Sequence, residues 1–97
     1  MRVISKKPLR QFWEKHRDAE DWLKAWLREV QVADWKSFAD IRSRYGSADW
    51  IPKNKIIFNV KGNRYRLITK VNFKAQIVYI RFIGTPEEYD RLDVESL

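Results

Sequence analysis

From Lys55 to Ile83 the apolar residues of this chain recur at every second position, whereas before Gly46 they recur every three or four. One element cannot serve both periods. Side chains alternate across a strand, but they return to one face of a helix only after about 3.6 residues. The chain is therefore predicted to be helical first and sheet afterwards. Lys55–Val60, Arg64–Val71 and Gln76–Ile83 are three runs rich in Ile, Val, Phe and Tyr. Lys61-Gly62-Asn63 and Asn72 to Ala75 separate them as turns, which predicts an antiparallel meander.

The helical part divides in the same way. Met1 to Ser5 predicts a short strand, and Pro8 suits the first turn of a helix, where its missing N–H costs nothing. That helix ends near His16, with Leu9, Phe12 and Trp13 on one stripe. Asp18 is a candidate cap for a second helix, whose stripe is Ala19, Trp22, Leu23, Trp26, Leu27 and Val30. Ser37 opens a short third helix carrying Phe38, Ile41 and Tyr45 and stopped by Gly46. Beyond the meander, Thr85-Pro86 places a cap and a first-turn proline ahead of an acidic helix through Glu87, Tyr89 and Leu92. Strand, two or three helices, three strands and a terminal helix predict an α+β fold with helices packed on one face of an antiparallel sheet. With 97 residues, the chain has interior enough for one domain, residues 1–97.

Charge is distributed unevenly over these elements. The formal net charge is +7, and no acidic residue lies between Asp49 and Glu87. That stretch holds eight of the twenty basic side chains: Lys53, Lys55, Lys61, Arg64, Arg66, Lys70, Lys74 and Arg81. The remaining residues carry twelve basic and thirteen acidic groups and are nearly neutral. A solvated surface mixes both signs, so a one-sided segment of this length points to an anionic partner, either nucleic acid or an acidic protein.

Alternation assigns the faces of the meander. Tyr65, Leu67, Thr69 and Val71 turn toward the helices, while Arg64, Arg66, Ile68 and Lys70 turn away. Val78, Ile80 and Phe82 should join the first group, opposed by Tyr79 and Arg81. A four-residue loop pairing Val71 with Gln76 satisfies that parity and sets Arg66 directly opposite Arg81. Like charges so placed are destabilising, which suggests a role other than stability. A two-residue Lys61-Gly62 turn pairs Val60 with Asn63 and directs Ile56 and Phe58 inward. Arg64, Arg66, Lys70 and Arg81, with Lys61 and Asn63 at the turn, are thus expected on one cationic face, with Tyr79 available to stack a base.

Other residue types exclude chemistries. Cysteine is absent, which removes disulfides, thiolate zinc sites and cysteine nucleophiles. The carboxylates avoid the basic stretch and histidine is single, so neither metal nor cofactor is implied. No apolar run approaches the ~18 residues of a membrane span, no signal-peptide core follows Met1, and the cytoplasm is the default location. Trp13, Trp22 and Trp26 sit in helical stripes and are read as core, whereas Trp50 beside Pro52 is read as a loop residue. His16, at a helix end, is read as a partner for the helix dipole. A catalytic role would require the first helix to reach the far face of the sheet.

Four segments together resemble one known family. They are Phe12-Trp13-Glu14-Lys15-His16-Arg17-Asp18-Ala19-Glu20, Phe58-Asn59-Val60-Lys61-Gly62-Asn63-Arg64-Tyr65-Arg66-Leu67, Ile80-Arg81-Phe82-Ile83-Gly84-Thr85 and Glu88-Tyr89-Asp90. Nearly end to end, the chain is similar to the HigB-type toxins of bacterial type II toxin–antitoxin systems. The resemblance implies a RelE-like fold and a metal-independent endoribonuclease that cuts messenger RNA on the ribosome. It also implies a helix-turn-helix antitoxin of the HigA type as partner. It assigns phosphate stabilisation to Arg66 and Arg81, a catalytic orienting or protonating role to Tyr89, and RNA contacts to Lys61 and Arg64. At the position where the family commonly has a histidine before Glu-Tyr-Asp, this chain has Pro86. That departure implies an attenuated enzyme or a module that binds RNA or the ribosome without cutting, and the shared fold leaves open a third reading, a ParE-like toxin directed at a topoisomerase.

Overall fold

The computed structural model describes residues 1–97. Its elements are β1 (Arg2–Ile4), α1 (Lys7–Lys15), a 3-10 turn (Arg17–Ala19), α2 (Glu20–Val32), α3 (Phe38–Arg44), β2 (Asp49–Ile51), β3 (Lys55–Val60), β4 (Tyr65–Asn72), β5 (Ile77–Gly84) and α4 (Pro86–Asp90), followed by a last 3-10 turn (Val94–Ser96). Five strands form one open sheet in the order β1-β5-β4-β3-β2. β1 runs parallel to β5 at one edge and the other pairings are antiparallel, so the sheet is mixed. The fold is α+β, as the change of period requires.

Stripes and alternation meet in one core. Leu9, Leu23, Trp26, Val30 and Ile41 from the helices close on Ile56, Phe58, Val60, Leu67, Val71, Val78 and Ile80 from the sheet. Phe58 is the hub, with Trp26 edge-on at 5.4 Å and Tyr45 edge-on at 5.3 Å. Trp13 and Trp22 pack only at its margin. Asp18 does not cap α2; the 3-10 turn carries the chain into the helix instead, and the Asp18 carboxylate binds elsewhere. Trp50 belongs to β2, an edge strand not foreseen from the sequence, and is half exposed.

The strand faces agree with the alternation up to Arg81, but both registers differ from the expected ones. Val60 pairs with Tyr65 across a four-residue turn, with Lys61 and Gly62 in the left-handed region at φ 53° and 70°. The difference is two residues, so Ile56 and Phe58 still point inward. On the other side Val71 pairs with Val78, not Gln76. Gln76 itself sits at φ 60° and closes the loop, its amide donating to the carbonyls of Trp35 (2.7 Å) and Phe73 (2.8 Å). A bulge then inserts Arg81, since Thr69 faces Ile80 while Ile68 faces Phe82. Past the bulge the faces of β5 exchange, so Ile83 joins the core and Phe82 moves to the outer face.

The face away from α1–α3 is not fully open. Ile57 and Ile68 lie on it and are buried, and Lys55 between the strands is 1% exposed. The Lys55 ammonium donates to the carbonyls of Val94 and Glu95, each at 2.7 Å, which fastens the C-terminal turn across this side of the sheet. Burial, reinforced by the charges of Lys53 and Lys70, pushes the Lys55 ammonium below the ordinary lysine range. No helix is long and apolar enough to cross a membrane.

Candidate functional site

The corrected registers separate residues that the sequence reading brought together. Arg66 opposes Asn59 on β3 and Gly84 on β5, not Arg81. Gly84 and Arg81 stand three positions apart on one strand, which places the two arginines about 10 Å apart along the sheet. They are not a cross-strand pair. Two cationic clusters result, one at each end of the outer face.

The first cluster forms where β4 begins and β5 ends. Arg66 is half-buried and free of any carboxylate; its guanidinium makes only long contacts to the carbonyls of Asn63 (3.3 Å) and Tyr65 (3.4 Å). Lys61 and Asn63 are exposed on the neighbouring turn. Across from Arg66, Gly84 leaves space that α4 needs. A Cβ there would stand 2.5 Å from the Phe82 ring and 3.0 Å from the Glu88 carboxylate. The helix is then fixed by a reciprocal cap: Thr85 Oγ1 accepts from the Glu88 N–H (3.2 Å) and Glu88 Oε1 accepts from the Thr85 N–H (2.9 Å). Those bonds hold the Glu88 carboxyl below the usual range. Pro86 occupies the first turn of α4 and Tyr89, half-buried, the next.

Arg64 does not belong with Arg66. It lies in the turn ahead of β4 and is locked to Asp18 at 2.6 Å. The Tyr65 hydroxyl donates to the other oxygen of the same carboxylate at 2.7 Å. The Tyr65 bond, then the Arg64 bond, holds the Asp18 carboxyl below its ordinary value, and Asp18 in turn raises both Tyr65 and Arg64 above theirs. This cluster joins the 3-10 turn to β4 and serves the fold. Beside it, the His16 ring stacks on Phe12 at 4.3 Å and meets the Tyr65 ring edge-on at 5.2 Å.

The second cluster lines a groove of about 590 Å³ at the opposite end of the outer face. Lys70 and Tyr79 are cross-strand partners on its floor, and the Arg81 guanidinium lies over the Tyr79 ring, 5.3 Å from its centroid. Lys53 and Asn54 complete it from the turn after β2, both in the left-handed region. No acidic side chain lines the groove. The sequence reading passed over Lys53 and Asn54 in this role. Pro52-Lys53-Asn54 between two apolar runs was the available signal for the hairpin that presents them. No three His, Asp or Glu side chains come together in a way that could hold a metal ion.

A cationic face with one unpaired half-buried arginine and a separate cation–aromatic groove suits an extended nucleic acid. Comparison with known proteins agrees in kind. Residues 19–92 match the model of the HigB toxin family, described as the RelE-like toxic component of a toxin-antitoxin system. The mRNA interferase toxin HigB of Escherichia coli K12 is 30% identical over 93 residues, covering 93% of this chain and 88% of that protein. The mRNA interferase HigB of Shigella flexneri matches to the same extent. A relative of that name from Escherichia coli O6:H1 is 27% identical over 94 residues, covering 95% of this chain and 91% of its own length.

Proposed function

Because the chain belongs to the HigB toxin family, the RelE-like toxic components of toxin-antitoxin systems, we propose that it is an mRNA interferase that cuts messages on the translating ribosome. A HigA-type helix-turn-helix antitoxin is the partner that holds it in check. The observation that carries this reading is the unpaired Arg66 guanidinium, half-buried beside α4 on a face to which β3, β4 and β5 bring no acidic side chain. The reaction is attack of a ribose 2′-oxygen on the adjacent phosphorus, with cleavage of the bond from phosphorus to the 5′-oxygen. Charge builds on the phosphoryl oxygens, and a preorganised guanidinium stabilises it by paired hydrogen bonds.

Arg66 has that role. Tyr89 on α4 orients the reacting nucleotide, and Lys61 and Asn63 contact the backbone beside it. Lys70, Tyr79 and Arg81 seat a nucleotide further along the strand, where Tyr79 offers its ring to a base and Arg81 meets a phosphate. Arg64, engaged by Asp18, is left out of the RNA contacts.

Expression of the chain without antitoxin should arrest growth and cut translated messages. Arg66→Ala should lower cleavage by about 10²–10³-fold, the usual scale for removing one charge-stabilising donor. Arg81→Ala should act mainly on message binding. Intact messages with unchanged translation would remove the reading. A large gain in cleavage with Pro86→His would favour a weakened enzyme, and no gain a module that only binds; inhibition of gyrase supercoiling would favour the topoisomerase-directed toxin.

A further inference from the structure

Ahead of Glu14 the chain has no acidic residue but four basic ones, Arg2, Lys6, Lys7 and Arg10. The sequence outside the basic sheet is nearly neutral only because these four cations are set against thirteen acidic residues that all come later. We propose that this segment forms a second phosphate-binding groove, which takes the message strand where it leaves the groove of Lys70, Tyr79 and Arg81. The inference rests on the ribonuclease reading above.

The fold gathers the four cations. They line one groove of about 620 Å³ together with Ser5 and Gln31, and no acidic side chain lines it. None of the four enters an ion pair. Arg2, Lys7 and Arg10 are exposed, and Lys6 is half-buried. Stability does not call for this arrangement. Lys6 and Lys7 open α1, where the helix dipole is positive, and the first turn has no acidic side chain to offset them. A charge on an edge strand does discourage pairing with another chain, but three of these four lie beyond β1. Free cations grouped without acids suit a run of phosphates.

β1 joins this groove to the one already described. Val3 pairs with Val78 and is buried on the helix side. Arg2 and Ile4 alternate with it, and so they share the outer face with Tyr79, the partner of Ile4. Lys70, Tyr79 and Ile4 thus form one row across β4, β5 and β1. Neighbouring strands are about 4.8 Å apart, so the row spans about 10 Å. At its far end the chain turns through Ser5 into Lys6 and α1. A message that stacks a base on Tyr79 and crosses the half-buried Ile4 therefore meets Arg2 and Lys6 next. Cations that track a backbone beside a ring that takes a base are the usual parts of a single-strand site. An acidic protein would find the same charge, but the ring and the row leading from it favour a nucleic acid.

The test is binding of single-stranded RNA to the full chain, in lengths from about 4 to about 16 nucleotides, over a series of salt concentrations. The RNA carries 2′-O-methyl groups, so it cannot be cut by the route above. Affinity for the natural chain should rise with length beyond the reach of the Tyr79 groove. In the triple variant Lys6→Ala, Lys7→Ala, Arg10→Ala that rise should vanish. The slope of log affinity against log salt should become shallower by about 2, since each phosphate contact contributes about 0.7. Thermal melting checks the fold, and Lys7→Gln with Arg10→Gln, both at exposed positions, is a milder variant whose slope should be shallower by about 1.4. An unaltered slope and length dependence in a folded variant would overturn the inference. So would a folded variant that keeps both yet binds programmed ribosomes or the antitoxin more weakly, because the groove would then serve ribosomal RNA or a protein. Cleavage of translated messages by the natural chain is scored separately. Cleavage with an unaltered slope removes this inference alone, whereas no cleavage removes the ribonuclease reading and the assignment of the groove to message with it.

Discussion

Asp18 shows how one side chain can take a different part from the one its position suggests. Its place ahead of an apolar stripe reads as a helix cap, yet its carboxylate joins Arg64 and Tyr65 forty-six and forty-seven residues away. Sequence spacing carries local capping and says nothing of such distant partners, so neither this cluster nor the pairing of Arg64 with Asp18 was legible. The folded state lowers the Asp18 carboxyl, so its stabilisation is present above the ordinary carboxylate range and disappears as pH falls through the lowered value. Asp18→Asn should therefore destabilise the chain most near neutrality, and the gap in urea midpoint should narrow in acid. A gap that does not change with pH would show that the carboxylate's charge is idle. Tyr65→Phe removes a hydroxyl that donates to a charged acceptor and should cost about 1.5 kcal/mol at pH 7 in the same assay.

At the scale of elements, faces were legible and registers were not, for one geometric reason. A strand shifted by two residues keeps every side chain on its own face, so alternation cannot detect the slip. The two-residue error at Lys61-Gly62 and the first two of the residues separating Arg66 from Arg81 are invisible in that way. The third is the bulge at Arg81, which leaves Val78 and Ile80 correctly assigned and reverses only Phe82 and Ile83 beyond it. The helices were easier, since Leu23, Trp26 and Val30 make a stripe no strand could bury. Thr85-Pro86 and Glu88 were legible as well, because a capping box is wholly local. Gly84 was not singled out, and its lack of a side chain is what allows α4 to approach β5. Gly84→Ala should lower stability by about 1–3 kcal/mol and weaken cleavage together, as α4 and Tyr89 are pushed from Arg66. Melting temperature and turnover measured side by side will show whether the two losses coincide.

The molecule as a whole divides its charge by region. The stretch from Trp50 to Pro86 has no acid to neutralise its eight cations, and the fold sets them on a surface that the C-terminal turn partly closes over. Lys55 is spent on that turn, donating to Val94 and Glu95. Arg64 is spent on Asp18. What remains for a ligand is Lys61 and Arg66 at one end, Lys53, Lys70 and Arg81 at the other, and Lys74, exposed on the loop between β4 and β5. Charge counting in the sequence found the excess correctly but could not tell committed cations from free ones, since that depends on tertiary partners. The division has a measurable consequence. Each phosphate contact with a single strand contributes about 0.7 to the slope of log affinity against log salt. If Lys70 and Arg81 both meet phosphates, the double variant Lys70→Ala, Arg81→Ala should bind single-stranded message with a slope shallower by about 1.4. Arg64→Ala, by contrast, should leave the slope where it was and lower the melting temperature, because its guanidinium is engaged within the fold. A double variant with an unaltered slope would mean that the groove beside Tyr79 does not follow the RNA backbone, and that strand contact is confined to the end of the sheet around Arg66.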